Sequence, residues 1–236
     1  MVAMYTPPSG FSKGFTHIRG VIVDLDGTML HTAQDLHIAI NRMRHDLALQ
    51  ALELETVISF VGKGAENLVR SSLSIDQSDD QVVTRFAAAM QLFNLHYQEA
   101  NGEYASPYPG VHEGLQAMKD RGLRLACVTN KPMDFTIPLL YKTGLRDYFE
   151  VVYGGDSFSR KKPDPMQMLQ VCADFALEPF EVVAIGDSIN DSQAARAAGC
   201  RVLTVPYGYN HGHAIHEVDS DGIVSSLLDA AHLLST

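Results

Sequence analysis

The chain lacks several features that would place it in a specialised class of proteins. Its three cysteines, Cys127, Cys172 and Cys200, are widely spaced and form no zinc-ligand pattern. Such a sparse, odd set is typical of reduced, buried thiols, so we expect a cytoplasmic protein. No apolar run approaches the length of a membrane span, and we expect no membrane partner. Residues 1–15 lack the apolar core of a signal peptide and are predicted to be a loose N-terminal leader.

Basic residues are also scarce. The 236 residues include 18 Lys and Arg against 28 Asp and Glu, which gives a formal net charge of −10. This balance argues against nucleic acid or an anionic membrane as the main partner. It does not exclude a small anionic substrate, because local charge and a bound cation decide that binding. The hydrophobic content of 46% is that of an ordinary globular protein.

One stretch of the chain, Val21 to Thr28, combines a buried strand with charged chemistry. Its β-branched apolar residues predict a strand buried on both faces of a parallel sheet. Asp24 and Asp26 follow where that strand would end, and Gly27 allows the chain to turn there. A buried carboxylate is costly unless it is paired or binds a metal, so these residues mark a candidate site.

The next part of the chain, residues 32–105, carries only helical patterns. Apolar residues recur at helical spacing in four segments, 35–49, 53–59, 65–73 and 81–100, and a Pro- and Gly-containing linker is predicted at 102–110. After it, strand and helix patterns alternate to the end of the chain. The alternation predicts an α/β fold, a parallel sheet with helices on both faces, formed by residues 16–31 and 106–236.

Polar residues lie at several of the predicted strand ends. Thr129 and Asn130 follow the second strand of the sheet, Lys161 and Lys162 precede a helix, and Gly186 to Asp191 follows a further strand. In a parallel sheet these ends share one edge, where ligands bind. Carboxylates at that density suit a hard cation, and Mg²⁺ is the expected ion; a hydroxyl and an ammonium would complete a phosphate-binding site.

The same groups suit phosphoryl transfer. One carboxylate can act as the nucleophile and form an aspartyl-phosphate. A second carboxyl two residues later can protonate the leaving oxygen and then deprotonate the attacking water.

These motifs together resemble those of the haloacid dehalogenase-like phosphatases, in the order and at the separations of that family. They are the Asp24–Thr28 stretch, Thr129 at a strand end, Lys162 within Lys161–Pro165, and the Gly186–Asp191 stretch. The resemblance implies a Rossmann-like doubly wound core, with residues 32–105 as an inserted, all-helical cap domain. It also implies a phosphoric monoester hydrolase with Mg²⁺ as its cofactor.

The resemblance also implies a role for each residue. Asp24 would be the nucleophile and a metal ligand, and Asp26 the general acid/base with its carbonyl on the metal. Thr129 and Lys162 would hold the phosphoryl group, and Asn130 would take part in substrate binding. The remaining metal ligands would be Asp187 and Asp191, the latter in direct contact with the ion or just outside it, near Lys162.

Within that family the chain is most similar to the bacterial phosphoglycolate phosphatases. The Gly62–Lys63–Gly64 turn of the cap would face the substrate, and Lys63 would pair with the carboxylate of 2-phosphoglycolate, with Arg70 as a weaker candidate. The alternative is that Lys63 belongs to a solvated turn. The same chemistry on pyrophosphate, a nucleoside monophosphate or a sugar phosphate stays open, as do a β-phosphoglucomutase-like phosphomutase and a non-catalytic protein on this fold. A monomer or a homodimer is expected.

Overall fold

The computed structural model describes residue 15 and residues 17–210 and 214–234. Its strands are β1 (Gly20–Val23), β2 (Leu30–His31), β3 (Ser106–Pro107), β4 (Arg124–Val128), β5 (Val151–Tyr153), β6 (Val182–Gly186), β7 (Arg201–Thr204) and β8 (Gly222–Ile223). Its helices are α1 (Ala33–Asp46), α2 (Leu54–Ile58), α3 (Ala65–Leu73), α4 (Asp79–Ala100), α5 (Val111–Asp120), α6 (Met133–Lys142), α7 (Met166–Phe175), α8 (Ile189–Ala198) and α9 (Leu227–Leu233). The predicted leader lies outside the described residues except for Phe15, which is buried in the core.

A six-stranded sheet organises the fold, in the order β5–β4–β1–β6–β7–β8, and every neighbouring pair is parallel. Residues of β1 alternate between two apolar layers. Val21 and Val23 pack with α5, α6 and α9, whereas Ile22 packs with α7 and α8 on the other face. The structure therefore has the predicted α/β architecture, a Rossmann-like sheet covered by helices on both faces.

The helices between β2 and β3 form their own apolar cluster, with α1 packed along α4. Two chain crossings connect these helices to the sheet. The crossings pair with each other as a short antiparallel ribbon, Leu30 with Pro107 and His31 with Ser106. The helical residues 33–100 are thus inserted into the α/β fold at a single place.

The short strands β2 and β3 differ from the sequence patterns, because no strand is predicted at Leu30–His31 and the segment 102–110 is expected to be a linker. Helix α6 runs without interruption from Met133 to Lys142, with Pro138 inside it. The three cysteines are free and buried, as expected. Within the described part of the chain, no helix is both long and apolar enough to cross a bilayer.

Candidate active site

Three carboxylates converge at the carboxyl edge of the sheet. Asp24 follows β1, Asp187 follows β6, and Asp191 lies in the first turn of α8. One oxygen from each lies within 4.8 Å of the others. Strand β1 pairs directly with β6, so the ends of these two strands place their aspartates side by side. The convergence predicted for these residues is present.

A buried lysine links two of these carboxylates. The ammonium of Lys162 lies 2.7 Å from Asp24 Oδ1 and 2.6 Å from Asp191 Oδ1, and it donates to the Val128 carbonyl at 2.8 Å. Burial lowers the pKa of Lys162, but the charges of Asp191 and Asp24 outweigh burial and raise that pKa above its usual value. The lysine therefore remains charged and neutralises part of the cluster.

The three carboxylates outnumber the single ammonium of Lys162 that lies among them. Burial raises the pKa of Asp24 to about 7, with Lys162 opposing the shift and Asp191 adding to it. The pKa of Asp187 is also raised well above its ordinary value, first by burial and then by Asp191 and Asp24. Among the described residues, the groups that donate to Asp187 are neutral: the Thr28 hydroxyl at 2.9 Å and the Tyr209 amide.

These residues fit a hard divalent cation. Within the described part of the chain, the buried Asp24 Oδ1 has the ion pair with Lys162 and no further partner, and the buried Asn130 Oδ1 accepts no hydrogen bond. Three clustered carboxylates with a single ammonium are a donor set that suits a hard divalent cation. Asp191 has a further role, because its Oδ2 accepts from the Ser188 amide and hydroxyl and so caps α8.

Two glycines make room for this cluster. Gly27 has a φ of +85°, and a Cβ there would lie 2.3 Å from Asp187 Oδ2. A Cβ on Gly208 would lie 2.3 Å from the same oxygen. Any side chain at either position would displace Asp187, so both glycines are required by close approach, and Gly27 also by its backbone conformation.

The predicted phosphate-binding residues lie at the end of β4. Thr129 is buried beside Asp24, and its hydroxyl accepts from the Lys131 amide at 3.2 Å. The side-chain amide of Asn130 donates to the Gly62 carbonyl at 3.0 Å and to the Lys162 carbonyl at 2.9 Å. Asn130 therefore ties the helical insert to the loop that carries Lys162.

A second ion pair involves Asp26 and a lysine to which the sequence patterns assign no role. The Lys131 ammonium lies 3.0 and 3.1 Å from the two carboxylate oxygens of Asp26. It also lies 4.8 Å from the centre of the Tyr97 ring on α4. Its position at a strand end, two residues after Thr129, is the sequence feature that could have identified Lys131 as a site residue.

A small pocket opens in front of these groups. The sheet edge contributes Asp24, Asp26 and Thr129 to its wall. The helical insert covers it with Gly62, Gly64 and a set of apolar side chains, Leu36, Val61, Ala65, Leu68, Phe93 and Tyr97. A small molecule in this pocket would contact both parts of the chain.

Three other basic residues, Lys63, Arg70 and Lys161, do not line this pocket. Lys63 is exposed and does not line the pocket, although the glycines on both sides of it do. Arg70 is exposed and lies over the Phe86 ring at 4.1 Å. The Lys161 ammonium lies against Gly64, since a Cβ there would be 2.6 Å from it.

The fold and the site together define a class of proteins, and comparison with known families agrees with it. Residues 21–205 match the family described as haloacid dehalogenase-like hydrolase. That range contains the strand ends that carry the three converging carboxylates, and it includes the helical insert. The chain belongs to the haloacid dehalogenase-like hydrolases.

Its relatives narrow this membership to the phosphoglycolate phosphatases, which are phosphoric monoester hydrolases. The phosphoglycolate phosphatase of Nitrosospira multiformis is 48% identical over 92% of this chain and 96% of its own. That of Thiobacillus denitrificans is 45% identical over the same shares. A crystal structure of a predicted phosphoglycolate phosphatase from Haemophilus somnus superposes with a TM-score of 0.87 at 31% identity, covering 93% of this chain and 99% of that one.

Proposed function

We propose that this protein is a cytoplasmic, magnesium-dependent phosphatase that hydrolyses 2-phosphoglycolate to glycolate and phosphate through an aspartyl-phosphate on Asp24. The observation that carries the proposal is the placement of Asp24 and Asp26 in the wall of one pocket, with Lys162 and Asp187 around Asp24. The names of the relatives support the substrate.

Asp24 and Asp187, with the main-chain carbonyl of Asp26, would hold the Mg²⁺ ion. Asp191 would act beside it, since it already pairs with Lys162 and caps α8. When bound, the ion would neutralise negative charge on the carboxylates and on the phosphoryl oxygens.

In the first step, an Asp24 carboxylate oxygen attacks phosphorus, a new O–P bond forms, and the ester P–O bond breaks. Asp26 gives its proton to the departing glycolate oxygen. Lys162 and the Thr129 hydroxyl bind the phosphoryl oxygens and hold phosphorus in line with Asp24.

In the second step, Asp26 removes a proton from a water molecule, which attacks phosphorus. The bond between phosphorus and the Asp24 oxygen breaks, so that inorganic phosphate leaves and the Asp24 carboxylate is regenerated. One carboxyl therefore serves first as an acid and then as a base, which its place two residues after the nucleophile allows.

We also propose that residues 32–105 act as a cap over a core formed by residues 16–31 and 106–236. The pocket lies between the helical insert and the sheet edge, and the β2–β3 ribbon is the place where the chain crosses between them. Movement about this ribbon would admit the ester and then exclude water from the reacting groups.

A panel of phosphate esters tests the proposal. We expect kcat/KM for 2-phosphoglycolate to exceed that for glucose 6-phosphate and adenosine monophosphate, and EDTA to abolish phosphate release until Mg²⁺ is restored. Asp24→Asn should lose at least about 10³-fold in kcat with an unchanged circular dichroism spectrum. The matched control is Asp80→Asn, at an exposed carboxylate on α4, which should behave as wild type. The reverse ranking of esters would remove the substrate, and Mg²⁺-dependent turnover by Asp24→Asn would remove the nucleophile.

A further inference from the structure

The pocket contains one positive charge that the proposed chemistry does not use. Among the described residues that line it, the charged groups are Asp24, Asp26 and Lys131. Most of the remaining wall is apolar. An anionic group on the organic part of a substrate would therefore meet a single cation there, the ammonium of Lys131.

Lys131 is buried and charged. Its side chain is 4% exposed, and that of its partner Asp26 is 12% exposed. Burial lowers the pKa of Lys131, but the charge of Asp26 and the contact with Tyr97 raise it above its usual value. An ammonium has three protons to donate; both carboxylate oxygens of Asp26 accept from Lys131, which also contacts Tyr97. A substrate anion in the pocket would compete with Tyr97 for the remaining proton.

The distances suit a carboxylate that lies close to the scissile bond. A leaving oxygen that accepts a proton from Asp26 lies within hydrogen-bond reach of that carboxyl, and the Lys131 ammonium lies 3.0 Å from the same carboxyl. In 2-phosphoglycolate a single methylene separates the leaving oxygen from the carboxylate. The carboxylate and the ammonium would thus meet at the distance of an ion pair.

We propose that Lys131 determines substrate specificity by binding the carboxylate of the leaving group, an inference that rests on the proposed function. Lys131, at the edge of the sheet, would thus take the carboxylate-binding role that is expected of Lys63 from the sequence. The anion is then recognised beside the acid/base carboxyl, and only a short anionic tail fits. In a longer phosphate ester, an anionic group at the far end would lie beyond the reach of the Lys131 ammonium.

The other lysines near the pocket are placed for different contacts. Lys162 lies between Asp24 and Asp191, where the phosphoryl group would bind. Lys161 lies against the backbone of Gly64. Lys63 is exposed. These positions leave Lys131 as the lysine beside Asp26.

The test compares two esters that differ only at the tail, 2-phosphoglycolate and ethyl phosphate. The measured quantity is the ratio of their kcat/KM values in one preparation, which does not depend on the folded fraction. We expect Lys131→Met to lower this ratio at least about tenfold, chiefly through KM for 2-phosphoglycolate. Lys131→Arg, which keeps the charge, should keep the ratio within about threefold of wild type, and Lys63→Ala should leave it unchanged.

Equal losses on both esters in Lys131→Met would show that Lys131 acts only through Asp26 and would overturn the inference. A selective loss in Lys63→Ala with none in Lys131→Met would also overturn it. Both outcomes leave wild-type turnover of 2-phosphoglycolate intact. Failure of the proposed function has a different signature, because the wild-type enzyme would then not hydrolyse 2-phosphoglycolate in preference to the other phosphate esters.

Discussion

Asp187 is the carboxylate of the cluster without an ionic partner in the described structure. Lys162 contacts Asp24 and Asp191, whereas Asp187 accepts from the Thr28 hydroxyl and the Tyr209 amide. One ammonium cannot balance three buried carboxylates, so the folded chain without a cation either holds extra protons or bears repulsion. Burial is the main cause of the raised pKa values of Asp24 and Asp187, and the negative charge of the neighbouring carboxylates raises them further.

The raised pKa of Asp24 predicts how stability depends on pH in the absence of metal. Because burial raises this pKa to about 7, the folded chain binds the proton more tightly than the unfolded chain does. The resulting stabilisation is fully present below the unfolded pKa and is lost as pH rises through about 7. In EDTA, we expect Tm to fall between about pH 4 and pH 7 and to level off above pH 7. Added Mg²⁺ should raise Tm more at the higher pH, and scanning calorimetry at both pH values measures this.

Asp24→Asn is the control for this prediction. An amide does not titrate, so the variant should show a smaller fall of Tm over the same range. A wild-type Tm that stays constant in EDTA, or that falls equally in the variant, would contradict the assignment of the proton to Asp24.

The convergence of Asp24, Asp187 and Lys162 could be predicted from the sequence because each residue follows or faces the end of a buried strand, and parallel strands share one edge. The direction in which a loop side chain points could not be predicted in this way. Lys63 lies between Gly62 and Gly64, which have φ values of +106° and +90°. With such a backbone no periodicity predicts where a side chain points, and the structure turns Lys63 to solvent while Lys131 faces the pocket.

The loop after β7 connects the site with the first helix of the insert. The Tyr209 amide donates to Asp187, and the Tyr209 hydroxyl accepts from the amides of Thr32 and Ala33 at 2.9 and 3.0 Å. The Thr32 side chain makes no capping hydrogen bond to α1. The N-terminus of α1 is therefore capped by a residue that lies far away in the sequence and also contacts the carboxylate cluster.

Tyr209→Phe tests this cap. Removing the hydroxyl leaves two amides at the start of α1 without their acceptor, so we expect the free energy of unfolding to fall by about 1–3 kcal/mol. Urea unfolding followed by circular dichroism measures the change. Tyr104→Phe, at a tyrosine that is 63% exposed, is the matched control and should change stability by less than about 0.5 kcal/mol. Equal stability of the two variants would show that the hydroxyl does not stabilise α1.

The β2–β3 ribbon shows a limit of prediction at the scale of elements. Each strand has two residues, and Pro107 has no amide hydrogen to pair. A strand of two residues is too short to show the alternation of apolar and polar residues that predicts a strand. Its position therefore depends on the strand with which it pairs. The longer elements, such as β4 and α7, carry enough periodicity to be predicted within a residue or two of their bounds.

Across the whole molecule, the insert and the α/β fold share a small apolar contact. The cluster of α1–α4 includes two buried residues from outside the insert, Phe135 and Tyr209. Phe135 packs on Tyr97 with ring centres 4.8 Å apart, and its carbonyl accepts from Asn101 at 2.8 Å. An insert could be predicted from its helical periodicity, but not which residues of the sheet layer it would contact, because Phe135 also satisfies the apolar pattern of its own helix.

Phe135→Ala should therefore loosen the insert more than the sheet. Loss of this buried ring should lower the free energy of unfolding by about 3 kcal/mol. Hydrogen exchange measured by mass spectrometry should show faster exchange in α1 and α4, with smaller changes in β1 and β6, since those strands touch no part of the ring's cluster. Phe180→Ala, at a phenylalanine that is 61% exposed, is the control and should leave both regions unchanged. Uniformly faster exchange in sheet and insert would mean that the two unfold as one cooperative unit, and movement of the insert as a separate cap would then lose its physical basis.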